Sequence, residues 1–513
     1  MKSFWAITLA FFLLGLSACA SDHDTVTAEK AIDYNQLTEQ TLSHYLDFVK
    51  TPRPGFHLDK ARDFLKGFAD ARGWKWSRDD YGNCWIDVPA TKGYESYPTL
   101  ILQGHMDMIC DVAEGETMDV NTQVGTPHRE GDKIWGDHIN LGADDGIGVA
   151  IALTIADSKL GHGPLRCLFT ADEDCGMFGA EKLDPKALDC DYLIGLDAEQ
   201  VGEFYISCLG AVTNHFTKQL PRVSSVDGLT KVQVNISGLK GGHSGRNIND
   251  QRLSACDMVR TLLDRLSAAH EVSLISLNAG TADNAIANAA EMALAIKTDE
   301  AEAVKEKISS VLTEYESEYA EETIHHKVST ADVVASDYVC APGSTAQVLS
   351  VLKELIYGPI EIDETGYVAK SSNISPLTLR DGAFDVMNMM RSDSNEWLEE
   401  QKNKYSTLAK QHGMTYAADN CNPAWTDVKG NKLIDMLKGY YEEAMGQPVE
   451  AVRSPGSTEI AFFTQHNPNL QATCIGPTIT DAHSIRETLY ISTLRPVLQT
   501  VVNTMQHINM VNR

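Results

Sequence analysis

Basic residues are scarce in this chain: 43 Lys and Arg stand against 71 Asp and Glu, for a formal net charge of −28. That deficit argues against nucleic acid and anionic membrane surfaces as partners and favours solubility. Paired cysteines are missing too. None of the 11 cysteines is spaced C-x-x-C or as in a zinc finger, which sets thiolate metal sites aside. Past the N-terminus no stretch approaches the roughly 18 uninterrupted apolar residues of a membrane-spanning helix. What is present is length. At 513 residues the chain exceeds one ordinary core, so two or more domains are expected, one of them inserted into another.

The N-terminus reads as a targeting segment: Lys2 carries the positive charge, an apolar run spans residues 4–14, and Leu16-Ser17-Ala18-Cys19 follows. That quartet resembles the bacterial lipobox. It implies a lipoprotein-type signal peptide over residues 1–19, with Cys19 the lipid-bearing first residue of the mature chain. The protein would then be lipid-anchored in the cell envelope, periplasmic or surface-facing, and would meet a membrane only through that anchor. One or two disulfides among the remaining cysteines are compatible with such a compartment.

Residues 34–209 alternate helix-like and strand-like segments. "QTLSHYLDFVK" and "ARDFLKGFADARGW" carry apolar residues at helical spacing, whereas "TLILQ", "PLRCLFT" and "DYLIGL" are short apolar strands. This is an α/β layout with helices on both faces of a sheet, and it returns near the C-terminus in "LQATCIGP" and "TLRPVLQTVVNTM". Between them the texture changes to alternating strands such as "TKVQVNISGL" and "FDVMNMMRSD" and amphipathic helices such as "AEAVKEKISSVLTEYESEYA". The expected organisation is a first α/β domain over residues 30–210 and 415–513, interrupted by an inserted α+β domain over 211–414 with two similar halves.

Chemistry gathers at the strand ends. "LILQGHMDMIC" closes an apolar strand with His105 and Asp107, which share one side of an extended chain. "PLRCLFTADEDCG" ends in Asp172, Glu173 and Asp174, and "DYLIGLDAEQ" in Asp197 and Glu199. Ligands of open α/β sheets sit beyond the carboxyl ends of the strands. "NLGADDGIGVAIALTIADS" places Asp144 in a glycine-bounded turn before a helix, and "GPTITDAHSIRE" places His483 in a loop after the last strand. Two histidines with several carboxylates suit one or two divalent ions such as Zn²⁺, Co²⁺ or Mn²⁺, and a cation relieves the mutual repulsion of clustered acids.

The motifs "GHMDM", "LGADDGIG", "TADEDCG", "GLDAEQ", "GGHSG" and "DAHS" occur in the order and context of the M20 metallopeptidases. Over nearly all of the chain after residue 34 the sequence resembles that family, and within it the aminoacyl-histidine dipeptidases through "PRPG", "LQGHMDM", "LKGGHSG" and "IGPTITDAHS". The resemblance implies a zinc-peptidase-like α/β/α catalytic domain with an inserted α+β lid, and two divalent ions, Zn²⁺ first. His105, Asp144 and Asp197 would hold one ion, and Asp144 would bridge to another held by Asp174 and His483. Asp107 would orient His105, and Glu173 would be the general base. His243 of the inserted domain would donate to the oxyanion.

The same resemblance places Asn284 and Arg391 on the substrate carboxylate and Glu459 near a free amino group. One position departs from the family pattern of two successive glutamates, because Asp174 follows Glu173. Cys175 beside it reads as an inert small residue. The implied activity is hydrolysis of short peptides, including Xaa-His dipeptides such as β-Ala-His. The alternatives are an M20-type deacylase or carboxypeptidase, or a catalytically inactive metal- or peptide-binding lipoprotein. The inserted domain would serve either as a lid within one chain or as the contact of a homodimer.

Overall fold

The computed structural model describes residues 32–427 and 430–509; the expected signal peptide and Cys19 lie outside the described residues. Four parallel strands lie side by side in the order Leu165–Thr170, Leu100–His105, Tyr192–Gly195 and Gln471–Cys474. Antiparallel strands extend this sheet through Cys84–Val88 and Lys75–Arg78 on one side and Glu203–Cys208 and Trp425–Thr426 on the other. Glu450–Ser454 also pairs, in parallel, with Glu203–Cys208.

The central strands are buried on both faces, which is why they read as continuous apolar runs. Every side chain of Leu100–His105 is buried. Leu100 and Leu102 pack with helices Tyr34–Phe48, Ala143–Asp157, Lys432–Met445 and Leu494–His507, while Ile101 points to the opposite core with Ile460–His466. Ala143–Asp157 is apolar all round and buried from Ala143 to Ala156, as a helix sealed between the sheet and other helices must be. The result is an α/β/α sandwich whose parallel strands end on one edge.

The chain leaves this sandwich at Leu209 and enters a second, antiparallel sheet. Its order is His325–Asp332, Leu229–Ser237, Ala290–Lys297, Ser273–Ala279, Val368–Arg380, Ala383–Ser392, Gly210–Gln219 and Thr415–Asn422, with Gly358–Ile362 added beside Val368–Arg380. Helices Ala255–Ser267, Ala301–Glu318, Pro342–Glu354 and Asn395–Gln411 cover it through one apolar core. This is the α+β lid. Thr415–Asn422 pairs with Gly210–Gln219, and we propose on that ground that the lid returns to the sandwich after residue 422 instead of 414. Among the described residues no helix is long and apolar enough to cross a membrane.

Candidate active site

The site is built where the parallel strands end. His105 closes its strand almost fully buried, at 1% exposure, and its backbone N donates to Asp145 Oδ2 at 3.3 Å. Gly104 permits this approach, since a Cβ there would lie 2.4 Å from Asp145 Oδ2. His105 Nε2 lies 3.0 Å from Asp144 Oδ1, 3.7 Å from Asp197 Oδ1 and 4.0 Å from Glu173 Oε2. On the other side of Asp144, Oδ2 lies 2.9 Å from His483 Nε2, and that same nitrogen is 2.9 Å from Asp174 Oδ1. Asp144 thus stands between the two histidines.

Asp107, expected to orient His105, is bonded instead to a backbone turn. Its Oδ1 is 3.6 Å from His105 Nδ1, longer than an ordinary hydrogen bond. The same carboxylate accepts from Glu173 N at 3.0 Å and Asp174 N at 3.1 Å, so it anchors the turn that carries the proposed base and one proposed ligand. Asp174 Oδ2 is held in turn by Ile109 N at 3.0 Å.

Charge in this pocket is far from ordinary. Burial pushes the Glu173 and Asp197 carboxyls well above their usual range; His105 opposes this, and neighbouring carboxylates reinforce it. Asp144 is also penalised by burial, yet His105 and His483 outweigh that and hold it well below the usual range. Burial alone would lower the His105 pKa, but Asp107 and Asp144 carry it well above 6.5. His483 rises to about 11 through its bonds to Asp144 and Asp174. Acids pressed to hold protons beside histidines pressed to stay charged describe a pocket short of positive charge, the condition a bound cation relieves. Ligand atoms of His105, Asp144 and Asp174 all lie within 4.8 Å of one another, and their nitrogen and oxygen donors fit a divalent ion.

Four supporting residues were not assigned from sequence. Asp145 receives Gly148 N at 3.0 Å in addition to His105 N. Glu487, fully buried, accepts from Gly142 N at 2.8 Å, Asp144 N at 3.0 Å and Asn140 Nδ2 at 3.1 Å. Arg53 of "PRPG" donates to the carbonyls of Met106 at 3.1 Å, Asp107 at 2.5 Å and Gly142. Asp172 ties Phe56 N at 2.6 Å and Tyr81 Oη at 2.8 Å to the acid turn. The only sequence signals were adjacency, as in "ADDG", or presence inside a quoted motif. Cys175 has its thiol pushed up to about 12 by burial, in keeping with an inert role.

His243, Asn284 and Arg391 gather separately, on the lid. His243 pairs in a short strand with Ala285, and Ser244 N donates to Asn284 O at 2.8 Å. His243 Nδ1 accepts from Gly245 N and Arg246 N, both at 3.1 Å, which leaves Nε2 as the N–H donor. Burial, with the charges of Arg391 and Arg246, lowers its pKa to about 4, so the ring is neutral near pH 7. Arg391 is buried with Nε unpartnered, and burial lowers its pKa to about 10. The Asn284 side chain is exposed. No hydrogen bond or ion pair among the described residues joins these three to the His105 cluster.

Glu459 differs from its expectation. Its Oε2 accepts from Thr170 Oγ1 and Gln103 Nε2, both at 2.7 Å, and Oε1 is shut off from solvent without a partner. So enclosed, the carboxylate lies beneath the cluster, bonded to the strands that carry it. Burial raises its pKa to about 7.

Two histidines, His105 buried and His483 about half exposed, meet several carboxylates at the edge of a parallel sheet, a donor set that fits the class of metal-dependent peptidases. Residues 101–507 match the model of Peptidase family M20/M25/M40, and the chain belongs to that family. It is 28% identical over 471 residues to the cytosol non-specific dipeptidase of Escherichia coli (strain K12), covering 90% of this chain and 96% of that protein. The aminoacylhistidine dipeptidase structure from Vibrio alginolyticus superposes with a TM-score of 0.79 at 25% identity, over 91% of this chain and 96% of that one. A tripeptidase from Staphylococcus aureus subsp. aureus mu50 shares the fold, with a TM-score of 0.52 at 14% identity.

Proposed function

We propose that this peptidase is a metal-dependent dipeptidase acting on short free-amine peptides, Xaa-His dipeptides such as β-Ala-His among them. The observation that carries the reading is the convergence of His105, Asp144, Asp174, Asp197 and His483 around one pocket that Glu173 also enters. The names of the Escherichia coli and Vibrio alginolyticus relatives support the substrate class. His105, Asp144 and Asp197 would hold one divalent ion, and Asp144, Asp174 and His483 the other, with Zn²⁺ favoured by the N/O donor set and Co²⁺ or Mn²⁺ as alternatives. When bound, such ions supply Lewis-acid polarisation of the scissile carbonyl and a lowered pKa for water.

The protein's own groups do the rest. Glu173, whose surroundings raise its proton affinity, takes a proton from the attacking water and returns it to the leaving amine. His243, neutral with its proton on Nε2, donates to the carbonyl oxygen as charge develops there. Arg391, whose charge bears on His243 on the same lid, receives the substrate carboxylate, and the exposed Asn284 side chain assists. The anchor at Cys19 is a separate proposal, tested by lipid labelling of wild type and Cys19→Ser; a homodimer through the lid is tested by sedimentation.

The test of function is release of histidine from β-Ala-His and an α-linked Xaa-His dipeptide by the metal-replete mature protein, with an N-acetylated control and an EDTA-treated sample. Cleavage that EDTA abolishes and that spares the acetylated control supports the dipeptidase. Cleavage of the acetylated substrate instead shifts the assignment to a deacylase. No cleavage with metal bound favours a binding protein.

A further inference from the structure

The chain crosses from sandwich to lid at Leu209, between strands Glu203–Cys208 and Gly210–Gln219. Beside that crossing ends Glu450–Ser454, with Ser454 in register with Cys208. The Ser454 carbonyl accepts from Leu209 N at 3.1 Å and from Tyr367 Oη at 3.4 Å. One oxygen therefore receives the amide of the crossing point and a phenol of the lid.

Tyr367 belongs to the lid turn between Gly358–Ile362 and Val368–Arg380. Asp363 shapes that turn: its Oδ1 accepts from Thr365 N at 2.8 Å, Thr365 Oγ1 at 2.6 Å and Tyr367 N at 3.1 Å. Its other oxygen pairs with Arg453 Nη1, and the Arg453 guanidinium carbon lies 3.6 Å from the Tyr367 ring centre. Further along, a Cβ at Gly245 would lie 2.7 Å from Pro455 O, so the His243 loop packs closely on the same segment. Ser457 Oγ donates to Leu209 O at 3.1 Å, and Glu459 reaches the floor of the pocket. Residues 453–459 thus touch the lid turn, the His243 loop, the crossing point and the catalytic floor in succession.

We propose that Asp363, Tyr367 and Arg453 are positioning residues, a latch that fixes the lid where His243 and Arg391 meet the substrate; this rests on the dipeptidase reading of those two side chains. The bland alternative is a surface ion pair. The Arg453 and Asp363 side chains are 33% and 32% exposed, and such pairs contribute little to folding stability. Their place, at the end of a crossing that must hold the two halves of the site in register, is what gives them an effect.

The test compares metal-loaded full-length wild type, Arg453→Asp, Asp363→Arg and the double reversal, measuring hydrolysis of a free-amine dipeptide and hydrogen exchange of the Leu209 amide. Each single reversal should lower kcat/KM about tenfold or more through a misplaced lid, with unchanged metal content and faster Leu209 exchange. The double reversal restores the charge pair but not the three bonds that Asp363 Oδ1 accepts, so it should recover the loss only in part. Wild-type kinetics and exchange in the singles overturn the latch. Should a reversal fail to fold, Tyr367→Phe removes only the phenol bond to Ser454; it should move both readouts in the same direction, and no change in either overturns the latch. If wild type cleaves no dipeptide, the dipeptidase reading fails on its own, while the exchange measurements still decide the latch.

Discussion

The two halves of the candidate site are held in different ways. In the sandwich, the proposed metal-ligating groups are backed by further carboxylates: Asp107 grips the Glu173–Asp174 turn, Asp145 the His105 amide and Glu487 the Asp144 amide. On the lid, His243 is oriented by two backbone amides, Arg391 keeps an unpartnered Nε, and Asn284 is exposed. The first half is over-determined, as a site that must hold clustered charge has to be. The second is held by fewer side-chain bonds, His243 by backbone amides alone. Removing a brace in the sandwich should therefore act on metal and chemistry, and a change on the lid on substrate binding.

The largest expected effect is at Glu173. Glu173→Gln should lower kcat by about 10³-fold while metal content, read by elemental analysis, stays near wild type. Loss of metal would make Glu173 a ligand and erase the division of roles within the sandwich. Next comes Asp107→Asn, which loses an acceptor for the acid turn and should weaken metal binding about 10- to 100-fold in calorimetric titration. Unchanged affinity would mean the backing carboxylate is dispensable and the contrast unfounded. On the lid, Arg391→Lys should raise KM about tenfold with metal affinity unchanged, because a point charge replaces a planar fork.

The smallest effect sharpens the contrast. With a folded pKa of about 4, below its ordinary 6.5, His243 takes up a proton more readily in the unfolded chain. Its contribution therefore destabilises the fold progressively as pH falls from about 6.5 towards 4, and is absent above that window. Ring NMR should show the neutral Nε2–H tautomer persisting to near pH 5; titration near 6.5 would remove the basis for its donor role.

Much of the sandwich was legible because its strands are short apolar runs that stop at acids or histidine, so His105, Glu173, Asp174 and Asp197 announced the strand ends and the side chains that meet there. The braces were not. Glu487 and Asp144 are 343 positions apart, and nothing local in "HSIRE" marks the buried carboxylate that meets the Asp144 amide. Val368–Arg380 was missed as a strand because Ser371, Ser372, Asn373 and Pro376 break its apolar pattern. The pairing with Ala383–Ser392 shifts between Ile374 and Leu377, which leaves Pro376 outside the regular ladder. The boundary at 414 rests on texture alone, and Thr415–Asn422, a polar edge strand, among the described residues pairs with Gly210–Gln219.

The Leu100–His105 strand feeds two cores at once, Leu100 and Leu102 on one face and Ile101 on the other. A single inserted residue would exchange those faces and turn His105 away from Asp144, since side chains alternate with period two. Substitutions of similar shape leave that alternation intact. This strand can change its letters but not its length.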